Sequence, residues 1–161
     1  MTQAPRITYP QSLNGLSTRE EIADTVIRAA LGLDSNNKAL WESSWAADPD
    51  ITFSVGSTVM KGLESINNDC FNRVGPMDTQ HLITGIRIDV KDGLNTAHLT
   101  ANALAQHYRA GQGQDPNAEF RLGGGTYDIQ VVKESDGQWK IKTWVINTIW
   151  SQGTRAVFQP A

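Results

Sequence analysis

Two side chains in this sequence stand where their types are costly unless something answers them. His107 ends a period-two series of small apolar residues, Ala97, Leu99, Ala101, Ala103 and Ala105, within the stretch NTAHLTANALAQHYR. The opposite set is Thr96, His98, Thr100, Asn102, Leu104, Gln106 and Tyr108. A strand face of small residues leaves space above it, for a packed helix or for a ligand. Asp34 falls on the apolar side of a helix, near the angles of Ala23, Ile27 and Ala30, where a carboxylate needs a partner. An imidazole titrates near neutrality, and a carboxylate accepting one of its N–H groups fixes its tautomer, so these residue types suit general acid–base chemistry. Each also has a plainer reading. His107 could be a core histidine satisfied by one hydrogen bond, and Asp34 a helix-ending aspartate turned to solvent.

Charge and composition exclude several partners. Seventeen acidic against 14 basic side chains give a net charge of −3, with no run of lysine or arginine, so nucleic acid and anionic membranes are not expected. The single cysteine, Cys70, allows no intrachain disulfide and suits a reducing compartment. Three histidines divided between two sheet faces, with no His-x-x-x-His or Cys-x-x-Cys spacing, offer no metal-ligand set, and no metal is expected. The start MTQAPRITYPQSL lacks an apolar signal core, and no apolar window of membrane length follows, so a soluble, cytoplasmic protein is expected. Five tryptophans serve equally as packed core or as the aromatic wall of a small-molecule pocket.

The elements that must position these residues follow in order. Residues 1–16, with Pro5, Pro10 and Gly15, read as an extended arm across the body or a neighbouring subunit. Ser17 with Glu20 forms a capping box opening a helix to about Leu33. Asn37 to Trp45 reads as a short helix with Trp41 and Trp45 on one face. ITFSV-GS-TVMKG reads as a hairpin, and Leu63, Ile66, Cys70 and Val74 mark the buried stripe of a third helix. Cys70 is expected as inert packing. Four long strands follow: one opened by His81, the His107 strand, AEFRLGGGTYDIQVVKE and WKIKTWVINTIW. Gly123-Gly124-Gly125 has no following helix and lacks phosphate-loop spacing, so it reads as a bulge or bend in a curved sheet. In the last strand Trp139, Ile141, Thr143, Val145 and Asn147 share one face. Lys140, Lys142, Trp144, Ile146 and Thr148 share the other, a mixture that suggests an outer surface covered by a second copy in a homodimer. The domain spans 17–150 and residues 151–161 read as a tail. The class is α+β, with helices gathered on one face of a bent, mostly antiparallel sheet.

This order, with WESSWAADPDITF, LDSNN, His81 opening a strand and YDIQVVKESDGQWKI, resembles the SnoaL-like branch of the nuclear-transport-factor-like superfamily over about residues 17–150. Within it the chain looks most like scytalone dehydratase and its relatives, and is also similar to the dehydrochlorinase of lindane degradation. The resemblance implies a cone-shaped α+β barrel with three N-terminal helices enclosing a deep apolar pocket. It implies a pair between Asp34 and His81, and His107 in QHYR as a second pocket histidine. Leu33 and Phe53 stand where the dehydratase has tyrosines, and Asp128 or Tyr127 falls in the region of its pocket asparagine.

The activity expected from this is proton transfer without a cofactor. His81 would be the base, Asp34 its orienting carboxylate and His107 an acid or a holder of the substrate oxygen. Tyr127 or Asn147 would bind a developing enolate, and Trp41, Trp45, Phe53, Val55, Met60 and Phe120 would line an apolar polyketide- or terpenoid-like substrate. Dehydration, isomerisation and cyclisation, in secondary metabolism, all fit. The alternatives are a non-catalytic binding or assembly module, which has no reason to bring Asp34, His81 and His107 to one cavity, and an oxygenase small subunit, which needs a large partner chain.

Overall fold

A computed structural model describes residues 7–159. The first six positions of the expected N-terminal arm lie outside the described residues, and 7–16 are irregular and mostly exposed. Helix α1 spans Thr18–Asp34, and its capping box is present: Glu20 N–H donates to the Ser17 hydroxyl while the Glu20 carboxylate accepts from Ser17 N–H. The short α2, Lys38–Glu42, is capped by the Asn37 side chain. Strands β1 (Thr52–Val55) and β2 (Thr58–Lys61) form the expected hairpin. The third helix is interrupted: α3 (Gly62–Ile66) widens into a π turn at Asn67–Phe71 and closes as α4 (Asn72–Val74). Cys70 is buried in that turn, where desolvation pushes its thiol up to about 12.

The long strands are β3 (Asp78–Val90), β4 (Thr96–Tyr108), β5 (Phe120–Lys133) and β6 (Trp139–Gly153). They belong to one sheet ordered β2-β1-β6-β5-β4-β3, antiparallel except where β1 runs parallel to β6. Helix α1 packs on the concave face through Ile22, Val26, Ala29 and Leu33. Buried Arg28 fastens it, pairing with Asp24 and donating to the carbonyls of Ser43 at 3.2 Å and Trp139 at 3.4 Å. A barrel closed on itself does not form; β2 and β3 remain edges of a bent, cone-like sheet.

Two register breaks in the β5–β6 ladder govern which residues face inward. Gln130 pairs with Thr143 but Val131 with Ile141, so Lys142 is an extra residue on β6. Before it Trp139 and Ile141 point into the core; after it Trp144 and Ile146 do. This corrects the expected dimer surface, because Trp144 is 2% exposed and belongs to the core cluster. The second break leaves Ile149 extra, opposite Gly124 and Gly125. A Cβ on Gly124 would meet the Trp150 indole at 2.3 Å, and one on Gly125 the Asn147 carbonyl at 2.3 Å. The glycine run therefore lets β6 bend tightly against β5, as expected of a curved sheet.

Of the segment read as a tail, 151–161, the last two residues lie outside the described residues and most of the rest is structured. Residues 151–153 complete β6, and a 3₁₀ turn, Arg155–Phe158, folds back over the wide end of the cone. The Arg109 guanidinium holds that turn by donating to the carbonyls of Ala156 and Gln159, both at 2.6 Å.

Candidate active site

Asp34 closes α1, where the negative end of the helix dipole disfavours a carboxylate. Two hydrogen bonds compensate. The His81 backbone N–H donates to Oδ2 at 2.8 Å, and His81 Nδ1 lies 2.7 Å from Oδ1. The two-point hold fixes the imidazole against rotation and assigns the proton to Nδ1, which leaves Nε2 as the basic nitrogen. His81 is the fourth residue of β3, not its first, and it faces inward opposite Ala105. Its side chain is 10% exposed, enough to shelter a base without sealing it off.

His107 stands beside it, the two rings meeting edge-on with centroids 5.2 Å apart. On the other flank the Phe158 ring lies at 5.0 Å. His107 Nδ1 is buried and has no hydrogen-bond partner among the described residues. Burial first, and then the neighbouring His81, push its pKa down to about 4, so the ring is neutral at pH 7. Tyr127, inward-facing and 4% exposed, makes no side-chain hydrogen bond among the described residues. Burial holds its phenol protonated, with Asp34 and Cys70 adding to the effect. The arrangement thus offers one oriented base and two uncharged donors.

Local clearance exists on the inner face of β5. Gly123 lies on the inner face between Ala105 and Ser151, and a Cβ placed on it would meet nothing within 4 Å. A cavity of about 590 Å³ lies on the far side of Phe158, walled by that ring together with Arg73, Met77, Arg109, Ala110 and Val157. A second hollow of about 310 Å³, around Val90–Asn95 and Lys133, lies at the other end of the strands, remote from the dyad.

Asp34, His81 and His107 are therefore brought together, whereas Tyr127 packs edge-on against Trp144 at 5.0 Å in the core and most of the expected lining is likewise elsewhere. Trp41, Trp45, Phe53 and Met60 are at most 4% exposed and form the core with Trp144. Their rings pack on one another, Trp41 to Trp45 at 5.3 Å and Phe53 to Trp144 at 5.1 Å. Val55 is on the inward side but 40% exposed at the hairpin tip. Phe120 packs beside Tyr108 on the outer face, at 6.0 Å. Asn147 is exposed on the outer face, turned there by the extra residue at Lys142. Asp128 also faces outward, 2.9 Å from His98. Sequence reasoning missed Phe158 and the open floor at Gly123; the apolar triplet Ala156-Val157-Phe158 was the available signal for the former.

A model of the SnoaL-like domain matches residues 14–145. The chain belongs to the SnoaL-like family. Terrestric acid biosynthesis cluster protein E of Penicillium crustosum is 38% identical to this SnoaL-like chain over 151 residues, covering 92% of it and 95% of that protein. Solved relatives include a protein described as a scytalone dehydratase from Novosphingobium aromaticivorans, with TM-score 0.71 and 20% identity over 85% of this chain and 87% of that one. Another is a hexachlorocyclohexane dehydrochlorinase from Novosphingobium barchaimii, with TM-score 0.67 and 19% identity over 89% and 95% of the two chains. At these identities the solved structures share the fold alone with the SnoaL-like chain.

Proposed function

We propose that this protein is a cofactor-independent enzyme of secondary metabolism that moves a proton on an apolar, polyketide- or terpenoid-like small molecule. The observation that carries the reading is the two-point hold of Asp34 on His81, which leaves Nε2 as the basic nitrogen. A packing pair has no need of a second imidazole 5.2 Å away, one whose buried Nδ1 has no hydrogen-bond partner among the described residues. The biosynthetic setting is supported by the name of the Penicillium crustosum relative.

In this reading His81 Nε2 takes a proton from a carbon next to a carbonyl, and Asp34 stabilises the imidazolium that forms. The bonding pair moves toward the carbonyl oxygen, giving an enolate. In this reading the neutral N–H of His107 and the O–H of Tyr127 serve as donors to that oxygen. His107 acts as an uncharged donor, because burial keeps it from carrying a proton to give away at neutral pH. Collapse of the enolate then expels a hydroxyl group, which leaves as water with the proton from His81, or returns the proton to another carbon. The first outcome is dehydration and the second isomerisation.

The test uses the compound that accumulates in a producing strain lacking the protein. Turnover and melting temperature are measured together for the wild type and His81→Ala. Loss of turnover with an unchanged melting temperature is expected; activity lost only in step with unfolding would overturn the assignment.

A further inference from the structure

We propose that the ligand entering the wide end carries a carboxylate, held by Arg73 at the rim of the cavity. This rests on Asp34 and His81 being the reacting dyad and adds the chemistry of the substrate's far end. The chain is net acidic at −3, yet among the described residues the cavity of about 590 Å³ is lined by two guanidiniums, Arg73 and Arg109, and by no carboxylate. Its remaining wall is largely apolar, through Met77, Ala110, Val157 and Phe158. A bowl with an apolar floor and a cationic rim fits a molecule with a greasy body and one negative end.

Among the described residues each guanidinium has only a loose, exposed acidic partner. Arg109 donates to two neutral carbonyls, and Glu119, 62% exposed, comes no nearer than 4.0 Å. Arg73 is 64% exposed, and its neighbour Asp69 sits 3.7 Å away in water, a pairing of little strength. The Arg73 fork can turn to a carboxylate and hold it through two parallel N–H bonds. Phe158 supplies the link to the chemistry, since it walls the cavity and its ring also lies 5.0 Å from that of His107. A body lying on Phe158 with its carboxylate at Arg73 is one aromatic ring removed from His107.

The probes are naphthoate and naphthamide, which share a shape and differ in charge, titrated into labelled protein while the amide resonances of Ala110 and Gln112 are followed. Naphthoate is expected to bind the wild type about tenfold more tightly than naphthamide. Arg73→Gln should bring the two within about twofold, with the affinity for naphthamide unchanged. Equal affinities in the wild type, a preference that survives Arg73→Gln, or no response of these resonances to naphthoate would each overturn the anchor. Failure of the dyad reads differently: His81→Ala would keep its turnover while the preference for naphthoate persisted.

Discussion

His107 should make the protein sensitive to mild acid, in a window set by burial. In the unfolded chain its imidazole takes up a proton as pH falls through about 6.5. In the folded chain it refuses one until about 4. Between these values the unfolded state holds more protons, so stability is full above the unfolded value and declines as pH falls, levelling below the folded one. Integration gives a loss of about 2 kcal/mol between pH 7.5 and pH 5.0, and about 3 kcal/mol once both states are protonated. At a urea dependence of about 2 kcal/mol per molar, the unfolding midpoint should drop by about 1 M across the first interval. The comparison is His107→Phe, which keeps a ring against Phe158 and removes the titration. The charged neighbours His81, Asp34 and Arg121 are present in both proteins, so their contributions largely cancel in the difference. The variant should lack about 2 kcal/mol of the wild type's acid sensitivity over this interval. Urea titrations at the two pH values decide it, and equal midpoint shifts in both proteins would show that burial does not hold His107 neutral.

The remaining predictions concern the dyad, the outer face and metals. His81→Ala should lower turnover by roughly 10²- to 10⁴-fold, Asp34→Asn by no more than that, and the double variant by no more than the worse single one. Multiplying losses would show that the two residues do not act as a unit. The outer sheet face exposes Leu82 (51%), Ile149 (65%) and Trp150 (47%), so a homodimer through this face is expected in sedimentation, with Trp150→Glu monomeric. A monomeric wild type at micromolar concentration would refute it. Exhaustive chelation should leave turnover unchanged, and activity lost on chelation and restored by a divalent ion would contradict this.

Asp34 could be singled out from the sequence because a carboxylate at an apolar helical angle demands a partner, whereas that the partner was His81 came from the family resemblance. His107 was equally visible as the last member of an alanine face. The errors have a common origin in β6. A period-two reading carries each residue's side from its neighbour, and the extra residue at Lys142 inverts everything after it, so Trp144 was sent outward and Asn147 inward. No local composition marks that bulge. Trp41 and Trp45 failed for another reason: core and pocket wall draw on the same residue types, and only packing separates them. Phe158 sits on a turn of four residues, too short for any periodicity to show.

Of three consecutive glycines in β5, two are locked by their neighbours and one is not. Gly124 and Gly125 admit no side chain without displacing Trp150 or the backbone of β6, but Gly123 faces open space, and its backbone is not in the left-handed region. Alanine there would shorten the hollow by a methyl group, and the stiffer unfolded chain would favour folding by up to about 1 kcal/mol. Resizing an active site usually trades stability for new specificity; at this position the two need not oppose each other. A lineage that meets a smaller substrate can refit its chamber by one codon, with no compensating change elsewhere in the sheet.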